Sequence, residues 1–320
     1  MIDISIVIPL YNEEESLREL TDWIGRVMQA HGLTYEIIFV NDGSTDNSWE
    51  VISEIARVRA DELKAISFNR NYGKSAALNV GFKKAIGGVV ITMDADLQDS
   101  PDEIPDLYAM VKDKGYHMVS GWKKKRHDPL SKTIPSKFFN FITSKISRIK
   151  LHDFNCGLKA YQNSVVKNIE VHGEMHRYIP VIAKWNGYDR IGEKVVEHHA
   201  RKYGATKFGL ERFINGFLDL LSITFVSRFK KKPMHFFGTL GTLSFFTGFL
   251  ITTWVIADKI YRIQYKLPVR DVVDQPLFFL ALVALIIGVQ LFLTGFIAEM
   301  MAMRSHSNDE YLIEDSIGLE

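Results

Sequence analysis

Two apolar runs constrain this chain more than any other feature. Residues 234–257 and 276–298, 24 and 23 in number, contain no Asp, Glu, Lys or Arg, and His235 at one edge is the only titratable group in either. At about 1.5 Å rise per residue, each run as a helix crosses a hydrocarbon core of about 30 Å. Soluble core helices seldom go so far without a charge. Between the runs, residues 258–275 make a short polar link with Lys259, Arg262, Lys266 and Arg270, so the two spans are expected to form a hairpin with both flanks on one side. Arg228, Lys230, Lys231 and Lys232 abut the first span, and no signal peptide precedes the strand expected at residues 4–8. The expectation is a membrane protein of two spans whose N-terminal domain is cytoplasmic. Residues 212–229, apolar with few charges, are expected to lie as a helix in the interface. Four parts follow: residues 1–210 as the catalytic domain, 211–233 as a juxtamembrane helix, 234–298 as the hairpin and 299–320 as a solvated acidic tail.

Composition excludes more than it suggests. With 39 Lys+Arg against 38 Asp+Glu there is no broadly basic surface, and no nucleic-acid partner is expected. Cys156 is the only cysteine, which excludes an internal disulfide and a multi-cysteine zinc site.

Up to about residue 122 the chain alternates strand and helix. Strands are expected at 4–8, 36–40, 64–68, 89–93 and 117–121, and helices at 14–30, 48–58, 75–86 and from the Ser100-Pro101-Asp102-Glu103 capping box to about 112. Continuously apolar strands alternating with helices make an α/β fold with a mostly parallel, doubly covered sheet. Ligands on such sheets bind beyond the carboxyl ends of the strands. Three of those ends are acidic: Pro9-Leu10-Tyr11-Asn12-Glu13, Asn41-Asp42-Gly43-Ser44-Thr45-Asp46 and Asp94-Ala95-Asp96-Leu97-Gln98. Asp94 and Asp96, an i, i+2 pair, are expected on one side, where two like charges call for a cation. Hard oxygen ligands select Mg²⁺ or Mn²⁺ shared with substrate phosphates. Gly73-Lys74-Ser75 has Phe68 where a P-loop needs its first glycine, and no G-x-G-x-x-G follows a strand.

Together with Arg70-Asn71-x-Gly73-Lys74-x-x-Ala77-x-Asn79-x-Gly81, these motifs resemble glycosyltransferase family 2 over about residues 3–210. The chain is most similar to the polyprenyl-phosphate glycosyltransferases, the group of dolichyl-phosphate mannose synthase and the bacterial undecaprenyl-phosphate glucosyltransferases. The resemblance implies a GT-A fold and inverting transfer of one sugar from a nucleotide-diphosphate sugar, of UDP-glucose or GDP-mannose type, to a polyprenyl phosphate (undecaprenyl or dolichyl). It assigns Pro9, Tyr11, Glu13 and Asp42 to base and ribose, Lys74 and Asp94 to the donor, and Asp94, Asp96 and Gln98 to the metal. His198-x-x-Arg201-x-x-Gly204-x-Thr206-Lys207-Phe208 resembles the segment whose Arg reaches the donor phosphates. Lys123, Arg126, Lys132 and Ser136 resemble the acceptor-phosphate segment.

In Asp153-Phe154-Asn155-Cys156-Gly157, Cys156 stands where the glucosyltransferase branch often has its second Asp, so that carboxylate's role does not transfer. Asp153 and Asn155 are the nearest survivors, the catalytic candidates are Asp94, Asp96, Arg126 and Asp153, and the identity of a base is open. No Q-x-x-R-W occurs, so transfer is expected to stop at one sugar. Partners implied are the nucleotide sugar, the lipid phosphate and the bilayer, and a homo-oligomer is compatible with them. The alternatives are another membrane-bound family 2 enzyme with a lipid or glycan acceptor, a nucleotidyl- or phosphotransferase on a similar sheet, and a non-catalytic membrane scaffold.

Overall fold

The computed structural model describes residues 2–124, 140–145, 147–173, 175–200, 202, 233–304 and 313–317. It forms two compact units, Met1–Ile223 with Glu310–Glu320, and Thr224–Asp309. The first is built on an eight-stranded sheet. Its elements are β1 (Ile4–Leu10), α1 (Leu17–His31), β2 (Tyr35–Asn41), α2 (Ser48–Val58), β3 (Leu63–Phe68), α3 (Lys74–Lys84), β4 (Val89–Thr92), α4 (Ile104–Lys112), β5 (Met118–Trp122), β6 (Lys159–Gln162), α5 (Asn163–Asn168), α6 (Ile179–Trp185), β7 (Ile191–Val195) and β8 (Ile313–Ile317).

The strand order is β7-β5-β6-β4-β1-β2-β3-β8. The β4-β1-β2-β3 block is parallel, β6 is antiparallel to both its neighbours β4 and β5, and β7 runs parallel to β5. The central strands are buried on both faces, because each must present apolar side chains to helices on either side. After β3 the order reverses, and β4 pairs with the other edge of β1. That switch opens a crevice at the carboxyl ends of β1 and β4.

Two sequence expectations are corrected here. In the capping box, Ser100 Oγ accepts the Asp102 N–H at 3.3 Å, but Glu103 does not reach back. Its carboxylate instead takes Lys194 and, at 2.9 Å, the Glu197 N–H, since a cationic partner outcompetes a backbone amide. The acidic tail is not wholly solvated: residues 313–317 form β8, antiparallel to β3, and Ile317 packs on the core. Without it β3 would be an open edge with unpaired backbone groups. The polar link between the spans is partly helical, as described next. The interfacial helix expected at 212–229 lies outside the described residues.

The second unit is a helical hairpin, α7 (Pro233–Gln264) and α8 (Pro276–Arg304), both long and apolar enough to cross a membrane. The α7 helix outruns its apolar stretch because Arg262 pairs with Asp258 one turn back at 2.7 Å. Close backbone packing joins the two helices. A Cβ on Gly288 would stand 2.6 Å from Phe245 N, and Ser244 Oγ donates to the Ala284 carbonyl at 2.8 Å. Glycines let helix backbones approach where lipid gives no hydrophobic drive to associate. Glu299, the first charge after the second run, accepts the Met234 N–H at 3.1 Å and so satisfies an orphan amide at the start of α7.

Candidate active site

The loops after β1 and β2 are laced together by short polar side chains. Asn12 adopts φ 57°, a left-handed conformation that asparagine tolerates, and its Oδ1 accepts the Thr45 N–H at 2.8 Å. The Asn12 N–H donates to Ser44 Oγ at 2.9 Å, and the Glu13 N–H to Ser48 Oγ at 3.1 Å. Tyr11 stands exposed at the rim and Pro9 lines the crevice.

Asp42 turns inward. Its two carboxylate oxygens accept the N–H groups of Tyr72 (2.7 Å) and Gly73 (2.9 Å), which fixes the loop entering α3. Burial raises its pKa against the lowering effect of those two bonds. The side chain singled out for the nucleotide base therefore builds the wall of the crevice, and α3 begins in place with Lys74 at its first residue.

Lys74 forms an ion pair with Asp94, just beyond β4. Burial opposes the Asp94 charge, but Lys74, with Lys123 and Lys159 nearby, outweighs it and holds the carboxyl well below the usual range. Along the turn Ala95 and Leu97 are buried while Asp94, Asp96 and Gln98 are partly exposed. Asp96 Oδ1 accepts the Gln98 N–H at 3.2 Å. The His198–His199 segment docks on this turn: Asp99 and His198 form an antiparallel bridge, and the His199 N–H donates to the Gln98 carbonyl at 2.9 Å. Arg201, three residues on, lies outside the described residues, as do Arg126, Lys132 and Ser136.

Lys123 is described, and it faces inward. Its ammonium sits 2.7 Å from Asp99, which is fully buried. Burial works against the Lys123 charge, yet Asp99 in first place, with Asp94, holds its pKa above the ordinary value. This pair anchors the end of β5 rather than reaching toward solvent.

The 153–157 turn closes the crevice floor. Asp153 is buried and its Oδ1 accepts the Asn155 N–H at 3.0 Å, a turn-forming role. Cys156 is buried too, and burial, then Asp99, pushes its thiol up to about 12, so it is no general base near neutrality. Gly157 is irreplaceable sterically, since a Cβ there would meet Asp94 Oδ2 at 2.6 Å.

Two site features escaped the sequence reading, Gly157 and Lys159. Lys159 is 4% exposed in β6, and a lysine inside Leu158-Lys159-Ala160-Tyr161 was the available signal, because lysine is rarely buried without purpose. Burial pushes its pKa down.

His176 completes the wall. Ser75 Oγ accepts its backbone N–H at 3.0 Å and lies 3.1 Å from Nδ1, to which the hydroxyl donates when the ring is neutral. Burial first, then Lys74, Arg177 and Lys159, hold its pKa well below 6.5, with Asp94 opposing. A histidine depressed in the fold binds a proton more readily when unfolded. Its share of stability is therefore complete above about pH 6.5 and lost as pH falls toward the lower folded value. Thermal unfolding of the wild type between about pH 6.5 and 5 should fall more steeply with acid than that of His176→Gln; equal slopes would refute the neutral ring.

A model of glycosyl transferase family 2 matches residues 5–170. The chain belongs to this family. It is 35% identical over 310 residues to a dodecaprenyl-phosphate galacturonate synthase of Rhizobium johnstonii, covering 96% of this chain and 90% of the relative. It is 34% identical over 257 residues to an undecaprenyl-phosphate 4-deoxy-4-formamido-L-arabinose transferase of Proteus mirabilis, covering 80% and 77%. Among solved structures, a glucosyl-3-phosphoglycerate synthase of Mycobacterium tuberculosis with Mn²⁺ and UDP-glucose superposes with a TM-score of 0.53 at 19% identity, covering 71% of this chain and 79% of that one. A mannosyl-3-phosphoglycerate synthase of Rubrobacter xylanophilus gives 0.56 at 15% identity, covering 69% and 73%. The mixed sheet with its antiparallel β6 is thus the GT-A-like fold of this family, and the protein is a glycosyltransferase.

Proposed function

We propose that the protein transfers one sugar from a uridine or guanosine diphosphate sugar to a polyprenyl phosphate, with inversion at the anomeric carbon, its catalytic unit on the cytoplasmic side. The observation that carries the reading is the Asp94–Gln98 turn at the sheet's switch point, where Asp94, Asp96 and Gln98 are partly exposed and Asp94 pairs with Lys74. The relatives named for polyprenyl-phosphate substrates, and a hairpin able to cross a bilayer, support the lipid acceptor.

The donor set fits a divalent cation of the Mg²⁺ or Mn²⁺ kind. Among the described residues no three His, Cys, Asp or Glu side chains gather to cage a metal alone. One or two carboxylates completed by substrate phosphates is the usual way such ions are held. Asp96 and Gln98, with the Asp94 oxygen not taken by Lys74, are the residues for it. When bound, the ion neutralises charge on the leaving diphosphate.

A phosphate-monoester oxygen of the lipid attacks the anomeric carbon, the bond from that carbon to the diphosphate oxygen breaks, and the nucleoside diphosphate departs. With a second pKa of about 6 the acceptor is already largely dianionic at neutral pH, so orientation matters more than a base. That agrees with a protonated Cys156 and an Asp153 committed to its own turn. Arg201 toward the donor phosphates, and Arg126, Lys132 and Ser136 toward the lipid phosphate, follow from the resemblance alone. Lys123, which the resemblance counts with that second group, pairs with Asp99. The test is a screen of radiolabelled nucleotide sugars with polyprenyl phosphate, with and without Mn²⁺. A labelled, organic-extractable lipid phosphate sugar formed only with metal is expected; label in a nucleotide or free-sugar product alone would overturn the reading.

A further inference from the structure

The crevice continues past Asp94 into a recess lined by several basic side chains. Lys74, Lys159, His176 and Arg177 line it, and among its described lining residues Asp94 is the only carboxylate. Asp94 is already matched by Lys74. Lys159 rises from the recess floor on β6, and its ammonium donates to the Cys156 carbonyl, a group with no net charge to offset its own. Buried charges are costly unless an opposite charge meets them. Arg177 enters from the 3₁₀ turn Met175–Tyr178, which the two Ser75–His176 contacts hold over the start of α3. Asp94 and Lys74 line this space but Asp96 and Gln98 do not, so it adjoins the place proposed for the metal and the diphosphate on the side away from Asp96 and Gln98.

We propose that this recess is an oxyanion subsite in which Lys159 and Arg177 bind a carboxylate or phosphate carried by a substrate. The two sources are a carboxylate on the transferred sugar and the phosphate of the lipid acceptor. Both present oxygens that an ammonium and a guanidinium can share, and both would set an opposite charge directly beside the buried Lys159. The inference rests on the transferase reading and adds two residues that neither the motifs nor the resemblance assigned.

The experiment uses full-length protein with its hairpin intact and steady-state kinetics for Lys159→Met, Lys159→Arg and Arg177→Gln. Donors are UDP-galacturonate and UDP-galactose, with GDP-mannose added if neither is used, and the acceptor is varied separately. With a sugar carboxylate as ligand, Lys159→Met and Arg177→Gln raise the KM for the uronate at least ~10-fold and leave that for the neutral hexose within about twofold. With the acceptor phosphate as ligand, the KM for polyprenyl phosphate rises ~10-fold with whichever donor is used. In either case Lys159→Arg restores most of the loss. Unchanged KM values in both variants, with at most a lower kcat or melting temperature, would make Lys159 a structural lysine and overturn the subsite while leaving the transferase reading intact. Should Lys159→Met fail to fold, Arg177→Gln, which alters a partly exposed side chain, decides the question by the same KM values. Absence of transfer by the wild type with every donor would sink both readings together.

Discussion

Replacing Asp96 by alanine is expected to reduce kcat at least ~10³-fold and to cost no more than about 1 kcal/mol of stability. The side chain is partly exposed in a turn whose buried members are Ala95 and Leu97, so its removal opens no cavity. Its removal loses the 3.2 Å contact from the Gln98 N–H to Asp96 Oδ1, worth about 1 kcal/mol. Against this structural role stands the larger chemical one proposed for it, a carboxylate ligand for the cation on the leaving diphosphate. The check is a single-turnover assay with saturating donor and acceptor beside a thermal melt. Ordinary turnover in Asp96→Ala would refute the metal role, and a collapsed melt would show that the turn was structural instead.

Gly157→Ala should be nearly as damaging for a different reason. The new methyl would lie 2.6 Å from Asp94 Oδ2 and 2.8 Å from Oδ1, far inside contact distance. Asp94 is held by Lys74, and the Gly157 carbonyl accepts a hydrogen bond from Thr92 Oγ1 at 2.9 Å, so neither side yields easily. Overpacking of this kind costs about 1–3 kcal/mol, and a misplacement of about 1 Å at a reacting centre costs ~10²-fold in rate. A double-mutant cycle isolates the cause. In an Asp94→Ala background, where no carboxylate meets the methyl, Gly157→Ala should cost almost nothing further in stability. Equal costs in both backgrounds would place the strain elsewhere.

Neither residue is conspicuous in the same way from sequence. Asp96 announces itself through a period of two at a strand end, where an acidic pair cannot be bland packing. Gly157 looks like any turn glycine until β6 is laid beside β4. That pairing is long-range and antiparallel, and it places residues 157–159 next to 92–94 across some 65 positions of chain. Asp42 and Lys123 show the converse. Both read as ligand-binding residues from their motifs. In the fold their charges are engaged by the Tyr72 and Gly73 amides and by Asp99, partners no local pattern identifies.

The sequence by itself determined the alternating α/β core, the two long apolar helices and the polar turn after β4, because each follows from short-period patterning and solvent transfer, which act on neighbours along the chain. Only the tertiary structure decided that the tail edges β3 as β8, that Lys74 holds Asp94, and that a buried Lys159 faces the recess. Those depend on which distant segments meet, and the energy of a buried charge or an open strand edge is set by its partner in space.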